Sequence, residues 1–308
     1  MFEIFQKTLP FFGLIGLGWL AARTRFFPQD AAAWLTKFVF FFALSAMLFR
    51  FAARLDLPAL FDLPFVLAYL VGSVLVWVIG LVVALRRGLR LTDAAMEAQC
   101  CITGNTGFLG VPMLVVLLGE AAIGPVLMVL TIDMLVFSTL ITLIVHAARS
   151  GRLRLHSIVP VLRGIAANPM ILSMGAGLVW STAKMPMPRP FDEFLLLLGS
   201  AATPGALFAI GASLATLRIK RLGPSLWLSV AKLVLHPAAV ALTALVLFRV
   251  DSFAAGVMIA AAALPVAGNV YILAQHFGIA QQRVSTAILI STVASIVTVP
   301  AVMLLIQG

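Results

Sequence analysis

Apolar runs of about 20 residues, each closed by a short polar or basic stretch, recur from one end of the chain to the other. A bilayer core is crossed by roughly 20 apolar residues in an α-helix. The pattern therefore predicts ten membrane spans, over residues 4–22, 32–49, 62–85, 94–118, 121–148, 165–182, 191–217, 224–248, 252–277 and 283–305. The first run, with Lys7 near its start, has the shape of a signal peptide. We read it as a span because it has a counterpart later in the chain.

Composition agrees. Of 308 residues, 62% are hydrophobic and 10% charged, where soluble proteins keep about a quarter charged. So few charges cannot cover a water-facing surface, and lipid is the solvent that suits the chain. The net charge of +10 raises the question of nucleic acid, but the basic residues lie in short clusters between apolar runs, as membrane topology requires. Cys100 and Cys101 are adjacent within an apolar run and read as small buried residues.

The clusters set orientation. Arg23, Arg25, Arg86, Arg87, Arg90, Arg149, Arg152, Arg154, Arg163, Arg218, Lys220, Arg221 and Arg283 fall on one side. Lys7, Arg50, Arg54, Lys184, Arg189 and Arg249 fall on the other, and Lys37 and Lys232 lie within spans. The positive-inside rule places the larger set in the cytoplasm, with both termini outside. The basic stretch 149–163 reads as a cytoplasmic linker between halves 1–148 and 164–308.

A shift of 159 residues lays the span map over itself, and Pro10 then meets Pro169, Gly16 meets Gly175, Gly18 meets Gly177, Phe49 meets Phe208 and Gly119 meets Gly278. Each half has five spans, an odd number, so the second half enters the membrane from the opposite side. The expected fold is all-α: ten transmembrane helices in two inverted five-helix repeats. Such repeats are a transporter signature, with substrate sites at the repeat interface near mid-membrane.

Two spans carry breaks. The fourth holds G-N-T-G-F-L-G-V-P, Gly104 to Pro112, and the ninth holds A-L-P-V-A-G-N-V-Y, with Pro265, Gly268, Asn269 and Tyr271. Glycine and proline weaken both helices at matching depth. Unwound backbone there must be buried in protein or line a wet cavity. Half-helix N-termini would then aim positive partial charge at the site, which suits an anion. Asn105, Thr106 and Asn269 add neutral donors for a carboxylate.

These two motifs, the ninth-span one continuing as I-L-A-Q-H-F-G, resemble the auxin efflux carrier family, which includes plant auxin exporters and bacterial malate or malonate carriers. The resemblance covers nearly the whole chain. The short link after the fifth span is similar to the bacterial branch, since plant members carry a long insertion there. The resemblance implies that helices 4 and 9 cross, that helices 1, 2, 6 and 7 form a scaffold, and that helices 3–5 and 8–10 form a mobile transport domain. It also implies elevator-type alternating access, a homodimer held by the scaffold, and the bacterial inner membrane. By resemblance Asn105 is the crossover asparagine that holds the substrate carboxylate, and Pro265 is the crossover proline. Plant members usually have proline where this chain has Gly104.

An ionisable residue inside a membrane is a functional candidate by default. Asp133, in the middle of the fifth span, stands where plant members carry glutamine, and a carboxylate there could take a proton or bind a cation in coupling. Lys232 reads as snorkelling to the interface or, more sharply, as the ionic partner of Asp133 or Glu97. Glu97 reads as interfacial and His236 as a packed or hydrogen-bonded histidine. Ser138, five residues after Asp133, could line the same cavity. Pro204, Gly205 and Gly211 in the seventh span would let a mobile domain slide on the scaffold, or serve ordinary close packing.

The reading that follows is a secondary carrier for a small carboxylate such as malonate or malate, or an auxin-like acid. No cofactor is expected beyond a coupling ion, H+ or Na+. A cation/proton antiporter is the alternative, although such sites typically pair acidic residues where this chain has asparagines. No G-x-x-x-x-G-K-[ST] motif is present to drive transport with ATP. The scattered histidines argue against an intramembrane metalloenzyme, and no repeated pore loop suggests a channel.

Overall fold

The computed structural model describes residues 2–55, 62–150, 167–217 and 219–307. Most of the 149–163 linker lies outside them. Twelve helical segments make up the described chain: α1 (Phe2–Arg23), α2 (Asp30–Ala52), α3 (Leu63–Arg86), α4 (Leu91–Ile102), α5 (Thr106–Leu118), α6 (Glu120–Arg149), α7 (Pro169–Thr182), α8 (Arg189–Leu214), α9 (Leu222–Leu247), α10 (Ser252–Ala262), α11 (Gly268–Phe277) and α12 (Gln281–Ile306). Six of these, α2, α3, α6, α8, α9 and α12, are long and apolar enough to cross a membrane. Among the described residues there is no β-strand.

The helices show why an ordinary amphipathic pattern is missing. On α3 the buried residues Phe65, Tyr69, Gly72, Ser73, Val76 and Gly80 recur at helical spacing. The opposite face exposes Leu67, Val71, Val74, Leu75, Val78 and Val82. Both faces are apolar, and the polar groups of the pair point inward. A continuous exposed apolar face of this kind is stable against lipid.

Small residues decide which helices touch. In α1 a Cβ on Gly18 would run into the backbone of Phe208 in α8, and one on Gly211 in α8 would run into the backbone around Ile15 and Trp19 in α1. Gly177 in α7 packs likewise on the backbone at Phe49 and Ala53, and Gly199 in α8 on that at Met47, while Gly205 in α8 packs on the Val39 side chain. α1, α2, α7 and α8 thus form one packed group. Gly205 and Gly211 belong inside it, against α1 and α2, so they serve close packing rather than a surface between two bodies. The second group is α3–α6 with α9–α12: Gly72 brings α3 against α9, and Gly80 brings α3 against α4. The groups meet where α1 touches α5 and α12 and where α8 touches the start of α5. Phe40 stacks on Phe108 across this boundary at 6.1 Å.

Two contact pairs fall on residues aligned by the 159-residue shift. Gly18 meets Phe208 while Gly177 meets Phe49, and these four residues are two of the pairs aligned by the 159-residue shift. Gly119 and Gly278, a third pair, both stand after the last residue of a helix with positive φ, 85° and 69°, a conformation that favours glycine.

Gly16 and Gly18 test the packing. A Cβ on Gly16 meets nothing within 4 Å. Gly18→Ala is expected to cost about 1–3 kcal/mol through overpacking and to lower the melting temperature of the purified protein. Gly16→Ala, two residues away, is expected to leave it unchanged. Equal melting temperatures for the two variants would contradict the α1–α8 contact.

Candidate functional site

The two breaks lie against each other. Gly104 and Val266 pair as an isolated antiparallel bridge. Around it the Asn105 N–H donates to the Pro265 carbonyl at 2.9 Å, and the Ala267 N–H donates to the Thr103 carbonyl at 3.1 Å. The Val266 N–H donates to Ser291 Oγ at 3.1 Å, so α12 satisfies a group that neither break can. Each unpaired backbone group in such a place costs several kcal/mol. Mutual pairing is what lets both helices unwind here.

Four helix ends converge. α4 and α10 bring their C-termini, and α5 and α11 bring their N-termini. Arg283, at the start of α12, contacts Asp93 in the first turn of α4. That end of α4 and the C-terminal end of α11 therefore share one side of the molecule. The first amides of a helix have no intrahelical acceptor, so the starts of α5 and α11 aim donors and positive dipole ends into the crossing.

Asn105, 7% exposed, lies in the break itself. Its carbonyl accepts from the Leu109 N–H at 3.0 Å and the Gly110 N–H at 2.9 Å. Its carboxamide has no protein partner among the described residues. Thr106 opens α5, buried, with its hydroxyl 3.5 Å from the Gly104 carbonyl. Gly104 is tightly held: a Cβ there would lie 3.2 Å from both the Ala261 carbonyl oxygen and Lys232 Nζ. Pro112 is buried in α5, where Val111 and Pro112 begin the regular α-helical part. Pro265 is buried in the second break. Asn269 is the second residue of α11, and its buried Oδ1 has no hydrogen-bond partner. The bridge makes Gly104 and Val266 counterparts, which is a local offset of 162 rather than 159. Asn105 therefore corresponds to Ala267, not to Asn269; the two asparagines are neighbours of the crossing but not equivalents.

Lys232 is 0% exposed, and its ammonium donates to the carbonyl of Ala262, the last residue of α10. It is not snorkelling. The break motifs carry no sign of it; the only sequence signal is a cation inside an apolar span. Asp133, also buried, is within electrostatic reach of Lys232. Tyr69 Oη donates to its Oδ1 at 2.8 Å, and its Oδ2 is buried without a hydrogen-bond partner. Ser73 Oγ and His236 Nε2 are 2.9 Å apart, which continues the polar network between α3 and α9. Thr106, Asp133 and Lys232 each lie in a π-helical turn, a distortion frequent at functional sites. Ser138 closes the turn at Asp133: its hydroxyl donates to the Asp133 carbonyl at 3.1 Å.

Glu97 is buried, not interfacial. Arg87 Nη1 bonds its Oε2 at 2.8 Å, and Arg283 Nε approaches its Oε1 at 2.6 Å as an ionic contact. Arg283 also donates to Asp93 at 2.8 Å. This cluster ties α3, α4 and α12 and stands apart from Lys232. Sequence reasoning also missed Gln99, whose Nε2 donates to Thr103 Oγ1 at 2.8 Å, and Ser291. Both are small polar residues in apolar helices, with no motif to mark them.

Crossed half-helices buried within apolar helices define a multi-pass membrane protein of transporter type. The family model described as "Membrane transport protein" matches residues 3–303, and the chain belongs to that family, the auxin efflux carriers. A protein of Rhizobium meliloti (strain 1021) named "Putative malonate transporter" is 34% identical over 315 residues, covering 100% of this chain and 97% of that one.

Ser291 provides a test of the crossing. Ser291→Ala leaves the Val266 N–H without its acceptor, which is expected to cost about 1–3 kcal/mol. Ser291→Thr keeps the hydroxyl. Thermal unfolding of the purified variants should rank wild type and Thr above Ala.

Proposed function

We propose that this protein is a secondary-active carrier that moves a small organic carboxylate, malonate first among candidates, across the bacterial inner membrane. The observation that carries the reading is the crossing. Two half-helix N-termini and the unpartnered Asn105 carboxamide meet at the crossing. Positive dipole ends and free N–H donors favour an anion. The amide of Asn105 can donate to a carboxylate oxygen, and the amides opening α5 and α11 can share its second oxygen. The name of the Rhizobium relative directs the choice to malonate.

The architecture in this proposal is ten spans in two inverted five-helix repeats, with the fourth span made of α4 and α5 and the ninth of α10 and α11. The reciprocal contacts Gly18–Phe208 and Gly177–Phe49 support it. α1, α2, α7 and α8 act as scaffold, and the remaining helices carry the crossing past it by an elevator motion. Two such scaffolds form a homodimer, and both termini face the periplasm. Asp133 is the coupling group: its free Oδ2 can take a proton when the substrate binds. The same free oxygen is what favours the second reading, a cation/proton antiporter. An antiporter would move sodium or protons with no carboxylate present.

Two variants test the proposal. A charge-assisted hydrogen bond contributes roughly 1.5–3 kcal/mol, or about ten- to a hundredfold in affinity. Asn105→Ala is expected to lose at least the lower figure in malonate binding by calorimetry while the purified protein remains folded by circular dichroism. Unchanged malonate binding would remove the crossing as the anion site. Wild-type transport is expected to vary with pH, and Asp133→Asn, fixed in the uncharged form, to be flat between pH 5 and about 8. An unaltered profile in proteoliposomes would take the proton away from Asp133.

A further inference from the structure

One side chain from the other packed group reaches the start of α5. Met170, in the first turn of α7, is 2% exposed. A Cβ on Gly107 would lie 2.6 Å from its Cε and 3.8 Å from its Sδ. The thioether tip therefore rests where any other residue at 107 would carry its side chain. Gly107 is the second residue of α5. The Leu109 and Gly110 N–H groups reach back to the Asn105 carbonyl, so the amides of Thr106, Gly107 and Phe108 are those left for an anion. Met170 lies against the middle residue of these three.

Met170 is fixed from behind. Asn168 Oδ1 accepts from its backbone N–H at 3.0 Å, and Pro169 opens the helix, a capped start with little backbone freedom. One turn on, Met174 Sδ lies 3.6 Å from Thr131 Oγ1 of α6. The rest of the wall beside Gly107 is apolar. Leu130 Cδ1 would lie 3.7 Å from the same Cβ, and Phe108 stacks on Phe40. A cavity lined by aliphatic and aromatic side chains stays dry and takes an apolar guest. Space vacated by the Met170 side chain would thus suit a phenyl ring and offer nothing to a second carboxylate.

We infer that Met170 is a specificity-determining residue: it leaves room at the α5 amides for a short aliphatic carboxylate and excludes an aryl carboxylate. This inference rests on the anion-carrier reading and narrows its substrate class.

The experiment uses purified full-length protein in proteoliposomes. Radiolabelled malonate counterflow is measured against unlabelled malonate or phenylacetate as competitor. The readout is the ratio of the two half-inhibitory concentrations, which a general loss of stability does not move. Phenylacetate is expected to inhibit the wild type far more weakly than malonate does. Met170→Ala removes the thioether beyond Cβ. The ratio is expected to shift toward phenylacetate at least about tenfold, since a single methylene in an apolar pocket already discriminates by about ten- to two-hundredfold. Met170→Leu keeps the apolar volume and is expected to keep the wild-type ratio. Phenylacetate that inhibits the wild type as strongly as malonate would overturn the inference, and so would a folded Met170→Ala variant with the wild-type ratio. If Met170→Ala does not fold or no longer exchanges malonate, Met170→Val is read by the same ratio. A smaller shift toward phenylacetate is then expected, and no shift overturns the inference. Failure of the carrier reading looks different: the wild type would then neither bind nor exchange malonate.

Discussion

The structure depends on one constraint, the need to pair backbone N–H and C=O groups where no water is available. A helix satisfies them internally, and a broken helix does not. At the crossing each break supplies the acceptor for the other: Pro265 for Asn105, and Thr103 for Ala267. Ser291 takes the Val266 N–H left over. Glycine at 104 allows the chains to approach, because the Ala261 carbonyl leaves little room for a side chain. Proline at 265 has no N–H to satisfy. The pairing leaves the first amides of α5 and α11 free, and those amides are what the proposed anion site rests on.

Charge follows from the same arrangement. Two C-termini at the crossing need positive compensation and two N-termini need negative compensation. Lys232 meets the first need at Ala262, and in the proposed carrier a substrate anion meets the second. Asp133 stands back from the crossing, held by Tyr69, where it can modulate the field without filling the site. The larger ionic cluster of Arg87, Asp93, Glu97 and Arg283 lies toward the start of α4. There it fastens three helices of one packed group to each other.

Close packing sorts the helices into the two groups. In lipid there is no hydrophobic drive to associate apolar helices, so contact is decided by how closely backbones can approach. Gly18, Gly177, Gly199 and Gly211 bring α1, α2, α7 and α8 together backbone to backbone. Between the groups the contact is made by side chains, Phe40 on Phe108 and Met170 over Gly107. Side chains can rearrange more readily than fused backbones, which suits the elevator motion proposed above.

Hydrophobic run length was enough to mark a multi-pass all-helical chain, because span length is set by the thickness of a bilayer. Glycine and proline were enough to place both breaks, because they act on the backbone locally. The two motifs were enough to identify the family, which the match over residues 3–303 shows. What tertiary structure decided is which way each residue faces and what it meets. On an apolar helix with lipid on one side and protein on the other, periodicity does not separate the two faces. Lys232 therefore read as reaching for the interface or as an ionic partner of Asp133 or Glu97, Glu97 as interfacial, and Gly211 as part of a sliding surface or of ordinary close packing. Packing placed the first at the crossing, the second under two arginines and the third against α1. Asn105 and Asn269 looked like partners by composition, yet their separation of 164 residues does not match the 162-residue offset of the bridge. Depth along a helix is a local property of the chain; the facing partner is a property of the whole fold.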